Sequence, residues 1–136
     1  MFIHFCQIMK QCFCIIVLAF LAVSCQESLE QRVEREAREH TVRNCPMEIS
    51  PGFVNDSLTF DRQTHTVQYH FSLHGKADSL RIDSTLARQS LQTALLNATN
   101  LRIYKNAGFT FRYTYRSERR GNKVVFDFVF TPEDYR

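Results

Sequence analysis

Three histidines within ten positions, His65, His70 and His74, are the first residues whose type and spacing could do chemistry, because imidazole is a common metal ligand. They fall in a stretch where apolar and polar residues alternate. An extended chain advances about 3.3 Å per residue, so His70 and His74 share a face but stand about 13 Å apart, too far for two ligands of one ion. We read them as polar-face histidines and expect neither a metal nor another cofactor. Cys45 and His40 offer a thiol and an imidazole five residues apart, but no third group orients them. No nucleophile elbow, P-loop or zinc-protease motif occurs. No catalytic residue is assigned, and the chain reads as non-enzymatic; the alternative is a hydrolase-like enzyme with an unidentified site. A basic group remains: Arg112, Arg116, His70 and Lys123, beside a loop with Arg119 and Arg120. These are the candidate ligand-facing residues, suited to an anionic glycan, a lipid head group or an acidic protein. The same charges would also serve a solvated sheet face with protected edges.

Composition limits what those residues can serve. The chain has 136 residues, 44% hydrophobic and 23% charged, with 4 Gly and 3 Pro, which fits one globular domain and excludes a low-complexity chain. A net charge of +3 is too small for a nucleic-acid footprint. Twelve Phe and five Tyr, with no Trp, supply the aromatic surface. They fall on the strand parity opposite to the basic residues, so no basic, base-stacking face forms and no nucleic-acid partner is expected.

The run Cys12–Val23 is twelve apolar residues, preceded by Lys10 and followed at once by polar residues. A bilayer span needs about 20, whereas this length suits the core of a secretory signal peptide. Leu21-Ala22-Val23-Ser24-Cys25 resembles the lipobox of bacterial lipoproteins. It has small residues before the cysteine, and Leu21 stands one position further back than that family prefers. The resemblance implies cleavage before Cys25 and acylation of its thiol, leaving a small Gram-negative envelope lipoprotein of unknown function. Gln26, in place of Asp, implies the outer membrane, with the periplasmic face expected. The implied partners are the bilayer, through acylated Cys25, and an envelope protein or glycan. Met9-Lys10 could itself begin the signal peptide. Cys6, Cys12 and Cys14 would be removed, so Cys45 alone would remain and no internal disulfide is expected.

Asp56-Ser57-Leu58, Asp78-Ser79-Leu80 and Asp83-Ser84-Thr85 resemble the acceptor motif of general O-glycosylation in some envelope bacteria. That resemblance implies modification at Ser57, Ser79 and Ser84. Asp-Ser pairs equally serve as turns and helix caps.

The elements that would position these residues follow from periodicity. Residues 27–43 are charged and helix-forming, with a thin stripe of Leu29, Val33 and Ala37, and Asn44-Cys45-Pro46 ends that helix. Leu58 and Phe60, then Val67, Tyr69, Phe71 and Leu73, predict a strand pair across Arg62–His65. Phe109, Phe111, Tyr113 and Tyr115, then Val124, Phe126, Phe128 and Phe130, predict a second. A two-residue Gly121-Asn122 turn would set Arg116 opposite Asp127. Between the hairpins, residues 84–97 carry a helical stripe capped by Asp83 or Ser84, a second short turn covers 101–104, and Gly108 suits a helix end. The expected fold is an α+β two-layer sandwich: an antiparallel sheet of about four strands in two hairpins, covered on one face by a helix, with an N-terminal charged helix. The expected organisation is a signal peptide over 1–24, a charged helical tether over 25–45 and a single domain over 46–136.

Overall fold

A computed structural model describes residues 26–136. The expected signal peptide over 1–24 and the expected lipidation site Cys25 lie outside the described residues. Helix α1 (Leu29–Asn44) starts in a capping box: Ser28 accepts from the Gln31 N–H, and Gln31 returns to the Ser28 N–H. Ion pairs Arg32–Glu36 on the helix and Arg35–Glu27, the latter with a residue just before it, lie on its partly exposed surface. Its apolar stripe puts Val33 and Ala37 against the sheet, where both are buried.

The sheet has five strands in sequential order, β1 (Met47–Ser50), β2 (Phe53–Asp61), β3 (Thr66–Leu73), β4 (Thr110–Ser117) and β5 (Lys123–Phe130). The expectation of four is corrected by β1, an edge strand of four exposed residues. It buries nothing, so it has no alternation to read. An all-antiparallel sheet is corrected too: β3 and β4 run parallel, with Tyr69 opposite Tyr113 and Phe71 opposite Tyr115. The intervening segment makes a crossover in place of a turn. It contains a 3-10 turn (Ala77–Ser79), α2 (Ser84–Asn97), a second 3-10 turn (Thr99–Leu101) and α3 (Arg102–Asn106). A helical connection of this length naturally returns the chain in the same direction.

Within the hairpins, register obeys the buried face. Phe60 pairs with Val67 across the four-residue loop, as their shared core side requires. A bulge between Asn55 and Ser57 then lets Phe53 and Asn55 join Leu58 and Phe60 on that side. The second hairpin differs from expectation. A longer loop and a bulge between Tyr115 and Arg116 place Asp127 opposite Thr114, while Arg116 faces Val124. A final turn of helix, α4 (Pro132–Tyr135), begins in a Thr131/Asp134 capping box. Its Tyr135 hydroxyl donates to the Phe109 carbonyl at 2.5 Å.

The core lies between the sheet and the helices. Phe109, Phe111, Phe130 and Leu95 are essentially inaccessible. Helix α1 covers β2, and α2 packs on β5 and α4. Each helix therefore shields one flank of the sheet. Among the described residues, no helix is long and apolar enough to cross a membrane.

Candidate binding trough

Between α1 and α2 the sheet's aromatic face is only partly covered. Its floor is a ladder of rings from adjacent strands. Tyr69 stacks on Tyr113 with centroids 4.8 Å apart and planes 4° apart, and Phe71 stacks on Tyr115 at 4.7 Å and 13°. These separations equal the spacing between strands, so the ring faces are turned toward one another. What points away from the sheet is the ring edge and, for the tyrosines, the hydroxyl.

Two clefts flank this ladder. One, of about 400 Å³, lies beside α1, with Tyr69, Leu58 and Val67 as floor and Glu36, His40 and Tyr104 as rim. The other, of about 220 Å³, lies beside α2, between Ala87 and Leu91 on the helix and Phe53, Tyr115 and Phe126 on the sheet. The Tyr104 hydroxyl donates to Glu36, and its pKa is pushed up to about 12 by burial and by that carboxylate. Burial alone pushes Tyr115 up to about 12 and also raises Tyr69; it is the main cause of the upward shift at Tyr113. All three hydroxyls therefore stay protonated at neutral pH. His40 contacts Asn44 on one side (3.2 Å) and Asn55 on the other (3.5 Å). Asn55 is buried, and its Oδ1 has no hydrogen-bond partner.

The opposite sheet face gathers three of the four predicted ligand-facing residues. Arg112 grips Asp127. Arg116 donates to His70 Nδ1 at 3.4 Å, and His70 Nε2 meets the Thr59 hydroxyl at 3.0 Å. Burial, aided by Arg116, holds His70 below the ordinary histidine range. Lys123 stands apart at the exposed start of β5. Of the proposed glycan acceptors, Ser79 and Ser84 are exposed and Ser57 is half-buried beside the bulge. Ser79 Oγ accepts from Arg119 at 3.3 Å. Cys45 is half-buried, and burial and Asp56 raise its thiol pKa. Among the described residues, no cluster of His, Cys, Asp or Glu is arranged to hold a metal.

Periodicity alone does not reveal a relay at the end of β3. Ser72 Oγ lies 2.7 Å from His74 Nε2, and His74 Nδ1 lies 2.8 Å from Glu118 Oε2. The spacing is that of nucleophile, base and orienting carboxylate. However, Ser72 Oγ also donates to Asp56 at 2.9 Å, and a hydroxyl has one proton to give. Glu118, 60% exposed, sits in solvent.

The architecture is therefore that of an α+β sandwich whose aromatic sheet face is left open between two helices. The chain belongs to the family described as a domain of unknown function (DUF8479), which matches residues 28–126. No curated protein matches it. Among solved structures it is similar to a protein from Pseudomonas aeruginosa described as secreted, at 19% identity and a TM-score of 0.67, over 82% of this chain and 100% of that one. It is also similar to EpsS, the pilotin of the Vibrio vulnificus type 2 secretion system, at 14% identity and 0.64, over 79% and 92%. The pilotin AspS of the Vibrio cholerae type II secretion system follows at 18% and 0.59, over 78% and 91%. These likenesses are likenesses of fold.

Proposed function

We propose that this protein is a lipid-anchored, non-catalytic accessory protein of the cell envelope that holds an amphipathic segment of an envelope protein in the trough between α1 and α2. The observation that carries this reading is the open aromatic floor. Tyr69 and Tyr115 are only partly buried and each opens on its own cleft, with the buried Phe71 and Tyr113 between them, rather than on one deep pocket. The lipobox-like end at Cys25 supports tethering at the outer membrane, on the periplasmic side. The fold shared with two pilotins supports a role as accessory to an envelope assembly. Ser57, Ser79 and Ser84 are retained as glycan acceptors. Arg112, Arg116, His70 and Lys123 form a secondary, polar surface for an anionic partner.

Site-specific photo-crosslinking tests the reading. A photoreactive residue at Leu91 in the trough is expected to give one discrete protein adduct in native envelopes. The adduct should be lost in Cys25→Ala, which no longer sits on the membrane. The same probe at Gln68, beside Arg112 on the polar face, should not give that adduct. Adducts from Gln68 alone would reject the trough. The relay at Ser72 favours the second reading, a hydrolase: labelling of Ser72 by a fluorophosphonate, abolished in His74→Ala, would support it.

A further inference from the structure

We infer that the segment filling the trough presents hydrogen-bond acceptor oxygens to the hydroxyls of Tyr69, Tyr113 and Tyr115, and that this array selects a peptide over an acyl chain or a sugar. The inference rests on the trough being the docking site and concerns the chemistry of its occupant. Among the described residues, none of these three hydroxyls has a hydrogen-bond partner, whereas those of Tyr104 and Tyr135 are both taken. Phenylalanine would fill the same ladder without a polar tip needing satisfaction, and the chain uses it freely around the site, at Phe71, Phe126 and Phe128.

The ring geometry narrows the occupant further. Sugars bind aromatic side chains through the ring faces, and here the faces of Tyr69, Tyr113, Phe71 and Tyr115 are stacked against one another. The exposed edges carry the positive rim of the aromatic quadrupole, which attracts oxygen lone pairs. Each tyrosine hydroxyl, protonated at neutral pH, adds one O–H donor to that rim. An acyl chain would cover the donors and leave them unsatisfied, at a cost a peptide avoids. Neutral acceptors fit better than a bare carboxylate, because Ala87, Leu91, Phe53 and Phe126 bring no cation to the α2 cleft. The occupant is therefore an amphipathic peptide segment in which carboxamide, hydroxyl or free backbone carbonyl oxygens interrupt the apolar strip.

The test uses the mature, lipidated protein in nanodiscs, with a phage-displayed library of short random peptides as probe. Selected peptides are expected to interleave apolar residues with Asn, Gln, Ser or Thr. They should lose about tenfold or more in affinity for the triple variant Tyr69→Phe, Tyr113→Phe, Tyr115→Phe, which keeps every ring. The single variant Tyr115→Phe, which leaves two hydroxyls in place, should show a smaller loss and guards against a folding defect in the triple. Leu91→Arg, which fills the α2 cleft, should abolish binding. Peptides that respond to Leu91→Arg but bind the Phe variants as tightly as the parent overturn the acceptor inference while leaving the trough intact. Recovery of no peptide, or of peptides indifferent to Leu91→Arg, overturns the trough reading and the inference with it.

Discussion

Arg112 and Asp127 meet in a two-pronged pair across the polar face, Nε to Oδ1 at 2.9 Å and Nη2 to Oδ2 at 2.6 Å. Thr114 donates to the same carboxylate at 3.0 Å and accepts from Gln68 at 3.1 Å, so the pair locks β3, β4 and β5 together. The Arg112 hydrogen bond, with Thr114, holds the Asp127 carboxyl below the usual range. A carboxyl lowered by folding stabilises above its unfolded pKa, and the contribution fades as pH falls through the folded one. Both partners are about a third or more exposed, so Asp127→Asn should cost about 0.5–1 kcal/mol at pH 7 and progressively less as pH falls below the ordinary carboxyl range, measured by urea unfolding across that pH series.

The docking of α1 gives a second prediction. Strand β1 pairs with β2 only as far as Asn55, leaving the outer edge of β2 bare beyond it. Thr41 on α1 takes over: its hydroxyl accepts from the Leu58 N–H and donates to the Leu58 carbonyl, both at 2.9 Å. Thr41→Val keeps the shape and orphans both backbone groups. It should cost about 2 kcal/mol in equilibrium unfolding, and it should speed amide exchange at Leu58.

The turn between β1 and β2 is intolerant for a different reason. Gly52 has φ +78°, and a Cβ there would stand 2.5 Å from the His74 carbonyl oxygen and 2.7 Å from the Ala77 side chain. Gly52→Ala combines backbone strain with a clash against backbone, and should lower stability by about 3 kcal/mol. Gly75, also at positive φ but in open space, should tolerate alanine better in the same thermal melt.

These positions show why part of the structure was legible and part was not. Helix α2 was readable to its ends because its cap, Asp83, and its apolar stripe are both local. The pairing of Phe60 with Val67 followed from parity, since a one-residue slip would turn the aromatic face to water. Strand β1 was hidden because its four residues are all exposed. The parallel β3–β4 pairing was within reach: the parity of the hairpins says nothing about their relative direction, but the helix read over 84–97 between them is the connection a parallel pair needs. The register that unites Arg112 with Asp127 depended on a bulge that alternation cannot locate. The trough was half visible: its rings were assigned to the buried face, but where α1 and α2 fail to meet is a property of packing.

Tyrosine ionisation follows directly from that packing. Every tyrosine is shifted upward, with burial the first cause in each case. Tyr104 and Tyr115 are pushed to about 12. A raised pKa contributes stability below the unfolded value, near 10, that is lost as pH rises through the folded one. Absorbance titration of the folded protein should therefore show no ordinary tyrosine near pH 10, with ionisation delayed and coupled to alkaline unfolding.

Hydroxyl-radical footprinting of the protein in its native envelope, compared with the purified protein in nanodiscs, tests most directly whether the trough is where a partner docks. Oxidation at Tyr69, Tyr115, Leu91 and Phe126 should be several-fold lower in the envelope, while Val129 and Val42, exposed and away from the trough, react equally in both. Equal oxidation of the trough residues in the two settings, or protection confined to the polar face around His70 and Arg116, would contradict it.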